Sequence, residues 1–318
     1  MITLDATFFK PRTQCPLCHE TRDSRAGRPR FQRWYEAPQG LVALTDAVER
    51  ERELTRCQGC GLVYNRLIPK SHTLDVLYDV PVGGVTWQFA ADRRRMREKL
   101  AFLKMLPAKQ PLRVLDVGCY TGGFLELLPG HWIKHGLDPN SEALAIARQR
   151  LPAGCFWQGH LESFEPGGRQ FDLIALWDVA EHLDDVDGAF QKLSRMLAPG
   201  GLLVMETGDA QSPVARGMRQ GWYYVNCLEH FCVFSEEVFR RQLPRYGLEV
   251  TACGPTVHHQ YSKKRAVTSR LLFWSYWAAT LGGRASGGWR AVSKLLQRKG
   301  ASYPPASADH ILMVARKI

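Results

Sequence analysis

The chain lacks any apolar run approaching the roughly 20 residues that a membrane-spanning helix needs, so no helical span is expected from its sequence. Met1 to Lys10 hold no basic region followed by a long apolar stretch. No secretory signal is read there, and a cytoplasmic protein is expected. Acidic residues are scarce at one end: from Val257 to Ile318, Asp309 stands alone against eleven lysines and arginines, in a chain of net charge +11. Cysteine is not scarce, at nine residues. Without an export signal these predict thiols or a metal site rather than a disulfide framework.

What the sequence does hold begins with two cysteine pairs, Cys15-Pro16-Leu17-Cys18 and Cys57-Gln58-Gly59-Cys60-Gly61. A two-residue gap lets both sulfurs of a pair reach one ion, and two such pairs supply the donor set of a tetrahedral Zn2+. Four thiolates close the coordination shell, so the zinc is expected to staple a small domain and not to activate water. The alternative is four reduced, metal-free thiols. His19 is read as a neighbour outside the ligand set. Cys119, Cys155, Cys227, Cys232 and Cys253 show no paired spacing and are read as small apolar packing residues.

With 318 residues and 45% hydrophobic content the chain can bury one full core plus a smaller module. The expected division is a zinc-ribbon domain over residues 1–75, a helical linker over 76–110 and an α/β domain over 111–318. In the linker region a helix is expected from Ser71 to Tyr78, a break at Pro81-Val82-Gly83-Gly84, and a longer helix from about Trp87 to Leu106. Arg93, Arg94, Arg95 and Arg97 on that helix read as a solvated face, with contact to an anionic substrate as the alternative.

Val114-Leu115-Asp116-Val117 reads as a buried strand that runs through Gly118-Cys119-Tyr120-Thr121-Gly122-Gly123 into a helix beginning near Thr121. Glycines let the backbone approach a ligand closely, and a first helical turn aims unpaired N–H groups at negative charge. A second apolar segment, Trp132 to Leu137, ends in Asp138, about twenty residues on, the spacing of a carboxylate that grips ribose hydroxyls. The dinucleotide fingerprint fits poorly, because Tyr120 and Thr121 stand where its middle glycine leaves room for a pyrophosphate.

The stretch resembles motif I of the class I S-adenosylmethionine (SAM) methyltransferases. Asp116, Gly118, Tyr120 and Gly122 fall on the acid and the three glycines, with Tyr120 replacing the middle one. The family's order continues across roughly residues 111–253. By that resemblance Asp116, Gly118, Cys119, Tyr120 and Gly122 bind the cofactor, and Asp138, followed by Pro139, holds its ribose. His160 and Leu161 flank the adenine, His160 replacing the more usual acid, and Trp177 and Asp178 complete the pocket. The implied fold is an α/β, Rossmann-like seven-stranded sheet with an antiparallel last strand, beside the small N-terminal zinc ribbon.

A fourth strand is expected at Phe171 to Trp177, opening into Trp177-Asp178-Val179-Ala180-Glu181-His182-Leu183, and a fifth at Leu202 to Glu206 after Leu197-Ala198-Pro199-Gly200-Gly201. The last two strands are expected at Tyr246 to Cys253 and His310 to Ala315. A hairpin loop ordinarily has about 2–5 residues, so the interval at about 255–308 reads as an insertion with its own purpose. Its segments Arg270 to Trp277 and Trp289 to Leu296 combine aromatic and basic residues. Such segments suit the surface of the sheet, a dimer interface, or contact with an anionic membrane face or a lipid-linked substrate at the inner side of the membrane.

Chemistry is expected where Gly221 to Phe231 follows the fifth strand, ahead of a helix capped by Ser235. Methyl transfer from a sulfonium is an in-line displacement, so the protein aligns the partners and removes a proton from the acceptor. His230 is favoured as base, with Glu229 orienting it or binding the acceptor; His182, beside Glu181, is the rival base. The four cysteines, the SAM motifs and the Glu229-His230 pair together resemble bacterial methyltransferases of saccharide and antibiotic-deoxysugar pathways. Cys227 stands where one branch of these has a tyrosine, Tyr224 or Tyr223 substituting, and Tyr78 matches a second active-site tyrosine.

The expectation is a SAM-dependent methyltransferase with structural Zn2+, acting on a saccharide, a nucleotide-linked sugar or a related secondary metabolite, with O-methylation ahead of C-methylation. The alternative is an RNA methyltransferase using the ribbon and the basic C-terminal segment. Against it, Trp177-Asp178-Val179-Ala180 is not the Asn/Asp-Pro-Pro-aromatic pattern of base-amine enzymes, and no Pro-Cys pair is present. A third reading, a non-enzymatic scaffold, has only Tyr120 and His160 in its support.

Overall fold

Two tight turns bring the cysteine pairs together. His19 N–H donates to the Cys15 carbonyl at 3.1 Å, and Gly61 N–H donates to the Cys57 carbonyl at 3.0 Å. Behind the turns lies an antiparallel sheet of β1 (Asp23–Gly27), β2 (Leu54–Cys57) and β3 (Val63–Asn65). The computed structural model describes residues 2–27, 34–37, 40–44, 53–70, 99–107, 111–218, 222–257 and 308–318. Tyr78, Arg93, Arg94, Arg95, Arg97 and the aromatic and basic stretch at 258–307 lie outside them.

The main sheet contains β4 (Arg113–Val117), β5 (Ile133–Asp138), β6 (Cys155–Gln158), β7 (Phe171–Trp177) and β8 (Leu197–Gly208). A short β9 (Cys232–Val233) leaves this sheet and pairs antiparallel with β3, with Cys232 opposite Tyr64 and Val233 opposite Val63. The chain returns as β10 (Leu248–Thr256) and β11 (His310–Lys317). The spatial order is β6-β5-β4-β7-β8-β11-β10, parallel except for β11, which is antiparallel to both neighbours. This is the α/β, Rossmann-like methyltransferase arrangement with an antiparallel final strand.

Alternation along the strands feeds two apolar layers. Leu115, Val117, Ile174, Leu176, Leu203 and Met205 point to one side, against the helices Val186–Met196 and Glu236–Gln242. Val114, Leu173, Ala175, Leu202 and Val204 point to the other, against Phe102 and the helix Ser141–Arg150. The helix Val186–Met196 shows why these segments are helical. Asp185 caps it, accepting from Gly188 N–H at 3.0 Å, and Val186, Ala189, Phe190 and Leu193 recur on one buried face. Each large apolar side chain fully buried this way contributes about 1.5–3 kcal/mol.

The cysteine module is not a separate body. Cys15, Leu17, Cys57, Cys60, Leu62, Tyr64 and Ile68 belong to the same buried cluster as the first face of the main sheet. On the other face Lys99 forms a buried ion pair with Glu206 of β8, fastening the turn ahead of Leu100–Met105 to the sheet.

Several boundaries differ from expectation. The helix placed up to Leu106 is a 3-10 helix over its described end, Leu100–Met105. The helix expected near Thr121 starts at Gly123 and runs only to Glu126. The fifth strand begins at Leu197, not Leu202, because Leu197 pairs with Phe171 and the Pro-Gly-Gly turn stays inside the sheet as an irregularity. Tyr246 closes a 3-10 turn instead of opening β10. Among the described residues no helix is long and apolar enough to cross a membrane.

Candidate active site

The glycine loop folds back on β5. Gly118 and Cys119 N–H groups both donate to the Leu137 carbonyl, at 2.7 and 3.1 Å. Gly118 has φ +74, and a Cβ there would lie 2.4 Å from Val179 Cγ2, so only glycine allows this approach. Tyr120 takes φ +46, the left-handed region that the middle glycine of the motif ordinarily serves. That backbone points Tyr120 N–H at Asp138 Oδ2, 2.8 Å away, while Asn140 N–H donates to Oδ1 at 2.9 Å. Burial pushes the Asp138 carboxyl up, and the two N–H groups pull it down.

Asp116 is buried, and burial followed by the nearby Asp138 charge pushes its carboxyl well up. Its Oδ1 has no hydrogen-bond partner among the described residues. Pro139 follows Asp138 and accepts from Gln158 Nε2 at 3.2 Å. Leu161 is buried, while His160 is half-buried and close enough to lower the Asp138 carboxyl. Cys119 is buried, as is the Trp177 ring, which packs against Phe102 and Phe124.

The turn after β7 connects this loop to a second cluster. Val179 meets Gly118, Asp178 N–H donates to the Glu206 carbonyl at 2.9 Å, and the 3-10 helix Ala180–His182 follows. Glu181 is fully buried and accepts from Thr207 Oγ1 at 2.9 Å. Thr207 is hydrogen-bonded to Tyr224 OH at 2.9 Å, and Gly208 N–H donates to the same phenol oxygen at 2.7 Å. A Cβ on Gly208 would strike the Tyr224 ring at 2.3 Å. Tyr224 in turn stacks on Trp222.

His230 lies against Tyr224, ring centroids 4.2 Å apart, and its Nδ1 is 2.8 Å from the Tyr224 carbonyl. A carbonyl only accepts, so Nδ1 carries the hydrogen, and in the neutral form of such a ring the lone pair falls on Nε2. The His182 ring meets it edge-on with centroids 5.0 Å apart. One donor atom each from Glu181, His182 and His230, and likewise from Cys227, Glu229 and His230, lie within 4.8 Å of one another. The structure therefore gathers His182, Glu229, His230 and Tyr224 around one point. The Tyr223 side chain lies outside the described residues.

Four members of this cluster, Thr207, Trp222, Asp309 and His310, carry no signal of a site in the sequence. His310, at the start of β11, donates from Nδ1 to Asp309 Oδ1 at 2.8 Å and has Nε2 at 3.4 Å from Asp178 Oδ1. Trp222 Nε1 donates to Asp309 Oδ2 at 3.3 Å. The Asp309-His310 dipeptide reads only as the head of an apolar strand. Its partners are far away in sequence.

Burial followed by the Asp178 charge raises the Glu181 carboxyl from 4.5 to about 8, while burial followed by His230 lowers His182 from 6.5 to about 3. Glu181 therefore holds a proton when folded between pH 4.5 and 8 that the unfolded chain has released, and its share of stability falls as pH rises through that range. His182 lacks, between pH 3 and 6.5, a proton the unfolded chain has gained, and its share falls as pH drops. The two offset one another from 4.5 to 6.5. Thermal midpoints measured against pH are expected to decline on both sides of that window, and Glu181→Gln to abolish the alkaline decline.

The four cysteine sulfurs form a second centre. Cys15 and Cys60 are 3.6 Å apart and Cys18 and Cys57 are 3.4 Å apart, too far for disulfides and near the ~3.8 Å expected between thiolates on a tetrahedral Zn2+ with ~2.3 Å bonds. Its contact with Cys60 pulls the Cys15 thiol down to about 5, and burial pushes Cys18 up to about 11. His19 faces Asp187 and Gln14 instead of the cluster.

The methyltransferase-domain family matches residues 89–252, half of the chain, and the chain belongs to that family. It is 33% identical over 135 residues to malonyl-[acyl-carrier protein] O-methyltransferase of Enterobacter lignolyticus, covering 41% of this chain and 51% of that protein. It is 35% identical over 137 residues to trans-aconitate 2-methyltransferase of Methylobacterium nodulans, covering 42% and 52%. The chain thus spans about half the length of the curated relatives it matches. The structure of N-methyltransferase NodS from Bradyrhizobium japonicum aligns with a TM-score of 0.43 at 18% identity, over 73% of this chain and 98% of that one.

Proposed function

We propose that this protein is a SAM-dependent methyltransferase whose acceptor is an uncharged hydroxyl or acidic carbon of a saccharide, a nucleotide-linked sugar or a related metabolite, with O-methylation ahead of C-methylation. The observation that carries the reading is the meeting, at one turn, of the glycine loop with the Glu181–Thr207–Tyr224–His230 network. We take residues 1–75 as the metal-binding module, 76–110 as a connecting segment and 111–318 as the catalytic domain.

The residues present suit SAM. Gly118 and Gly122, both at positive φ, let the loop turn tightly against Val179 and against Ala147 and Leu151, Asp138 is held with lone pairs to spare, and Asp116 Oδ1 is an acceptor awaiting a donor. When bound, SAM supplies an electrophilic methyl group. Asp138 would accept from the ribose hydroxyls, and Asp116, Cys119, Tyr120, Pro139, His160, Leu161, Trp177 and Asp178 would complete the cofactor side. Asp138→Ala is expected to weaken SAM binding roughly 10- to 100-fold, the value of a lost charged hydrogen bond. Titration calorimetry checks it, and unchanged affinity would show the cofactor side to be misplaced.

On the acceptor side, His230 Nε2 would receive the acceptor's proton, its ring held by the Tyr224 carbonyl. Glu229 binds or orients, and His182, kept neutral by burial, packs as a second imidazole. Glu229 and Asp178 lie close enough to act on the His182 imidazole, and carboxylates beside the histidines disfavour a charged carboxylate acceptor of the kind that trans-aconitate offers. The four-cysteine cluster suits a structural Zn2+.

The test is to incubate the protein with methyl-labelled SAM and separate pools of nucleotide sugars, lipid-linked saccharides, trans-aconitate, malonyl carrier protein and RNA. Label in a saccharide pool is expected. Label confined to RNA or to the carboxylate substrates would overturn the acceptor class.

A further inference from the structure

His230 lies at the end of a loop, yet its main chain is gripped from the cysteine module. Asn65, the last residue of β3, donates from Nδ2 to the His230 carbonyl at 2.7 Å, and its own N–H donates to the Phe231 carbonyl at 2.8 Å. Phe231 N–H then donates to the Glu181 carbonyl at 2.7 Å. Arg12 reaches the Asp184 carbonyl at 2.7 Å and the Phe231 carbonyl at 3.4 Å. Both segments that carry the facing histidines are thus held by residues close in sequence to the metal-type cysteines, Asn65 following Cys60 by one short turn.

We propose that Asn65 is a positioning residue for His230, and that through it the four-cysteine module forms one wall of the acceptor site. The proposal rests on the reading of His230 as the proton acceptor. Asn65 is 1% exposed, and its Oδ1 is buried without a hydrogen-bond partner among the described residues. A space-filling role would be served by an apolar side chain of the same size, which leaves no orphaned acceptor. The carboxamide is therefore present for its N–H. Only the nitrogen can face the His230 carbonyl, since two carbonyl oxygens repel. With Nδ1 tied to Tyr224 and the main chain tied to Asn65, the imidazole has no remaining freedom to swing away from the turn at 180–182.

The test uses the full chain with 15N-labelled histidine, comparing Asn65→Asp, which keeps the size but replaces the donor, and Asn65→Ala with the parent by nuclear magnetic resonance. The His230 signals are assigned with His230→Gln. In both variants the His230 ring resonances are expected to shift, while those of His135, stacked on Trp157 across the sheet, stay in place and the SAM dissociation constant holds within about twofold. Methyl transfer to the nucleotide-sugar pool is expected to fall roughly 10²-fold, the scale of an ångström-size misplacement.

Unmoved His230 resonances in both variants would overturn the proposal. So would loss of SAM binding together with displaced His135 signals, which would make Asn65 a folding residue and nothing more. Failure of the base assignment itself shows separately, as full turnover in His230→Ala, and leaves the resonance comparison intact.

Discussion

His230→Ala is expected to lower methyl transfer by about 10²–10⁴-fold, the usual worth of a positioned base, with SAM affinity unchanged. The reason lies in the division of labour between the two sides of the turn at 178–182. In the proposed arrangement the glycine loop and Asp138 would hold the cofactor without help from His230, so binding is expected to survive its removal. The acceptor's proton then has no neutral imidazole lone pair to receive it. Single-turnover rates measured with the pool that takes label check this, beside a SAM titration. A variant that keeps full turnover would remove His230 from the chemistry and pass the role to the facing His182. A loss confined to KM would make His230 a binding group.

Cys60→Ser is expected to abolish zinc binding and unfold the N-terminal module cooperatively. Structural zinc in small four-ligand sites contributes apparent free energies of about 10–16 kcal/mol, as large as the whole stability of an ordinary domain at about 5–15 kcal/mol. Cys60 is fully buried in a cluster continuous with the main core, so the damage is expected to spread to β9 and to the loop before it. Metal analysis should find about one zinc per chain in the parent protein and almost none in the variant. Cys155→Ser, at an exposed site outside the cluster, is the control. A parent protein without zinc, whose midpoint is unaffected by Cys60→Ser, would reduce the cluster to four packed thiols.

The sequence was most legible where the information is local. The limits of Phe171–Trp177 follow from an apolar run interrupted only by Asp172, and the loop from Gly118 to Gly122 and the acid at Asp138 are fixed by spacing within one strand-turn-helix-strand unit. The Ser235 cap on Glu236–Gln242 is equally local. Legibility fails where partners are distant. The early start of β8 depends on Leu197 pairing with Phe171, which no window around Leu197 reveals. His310 reads as the first residue of an apolar strand, and its place between Asp309 and Asp178 depends on β11 lying beside β8. Asn65 reads as the end of a ribbon strand, and its use depends on β9 joining the same sheet. The expectation of a small zinc-ribbon domain over 1–75 carries no statement of what it packs against, because a cysteine pattern specifies a metal geometry and says nothing about which surface the module covers.

The strand order also governs how the protein comes into being on the ribosome. β11 occupies an interior seat of the sheet, between β8 and β10, yet it is translated after both. While residues 209–309 are being added, the nascent β8 presents an unpaired edge for about 5–20 s at ordinary synthesis rates. An exposed edge of that kind is a template for pairing with other chains. The same delay withholds His310 from Asp178, so every earlier ribosomal intermediate lacks the contact that joins the last strand to the turn after β7.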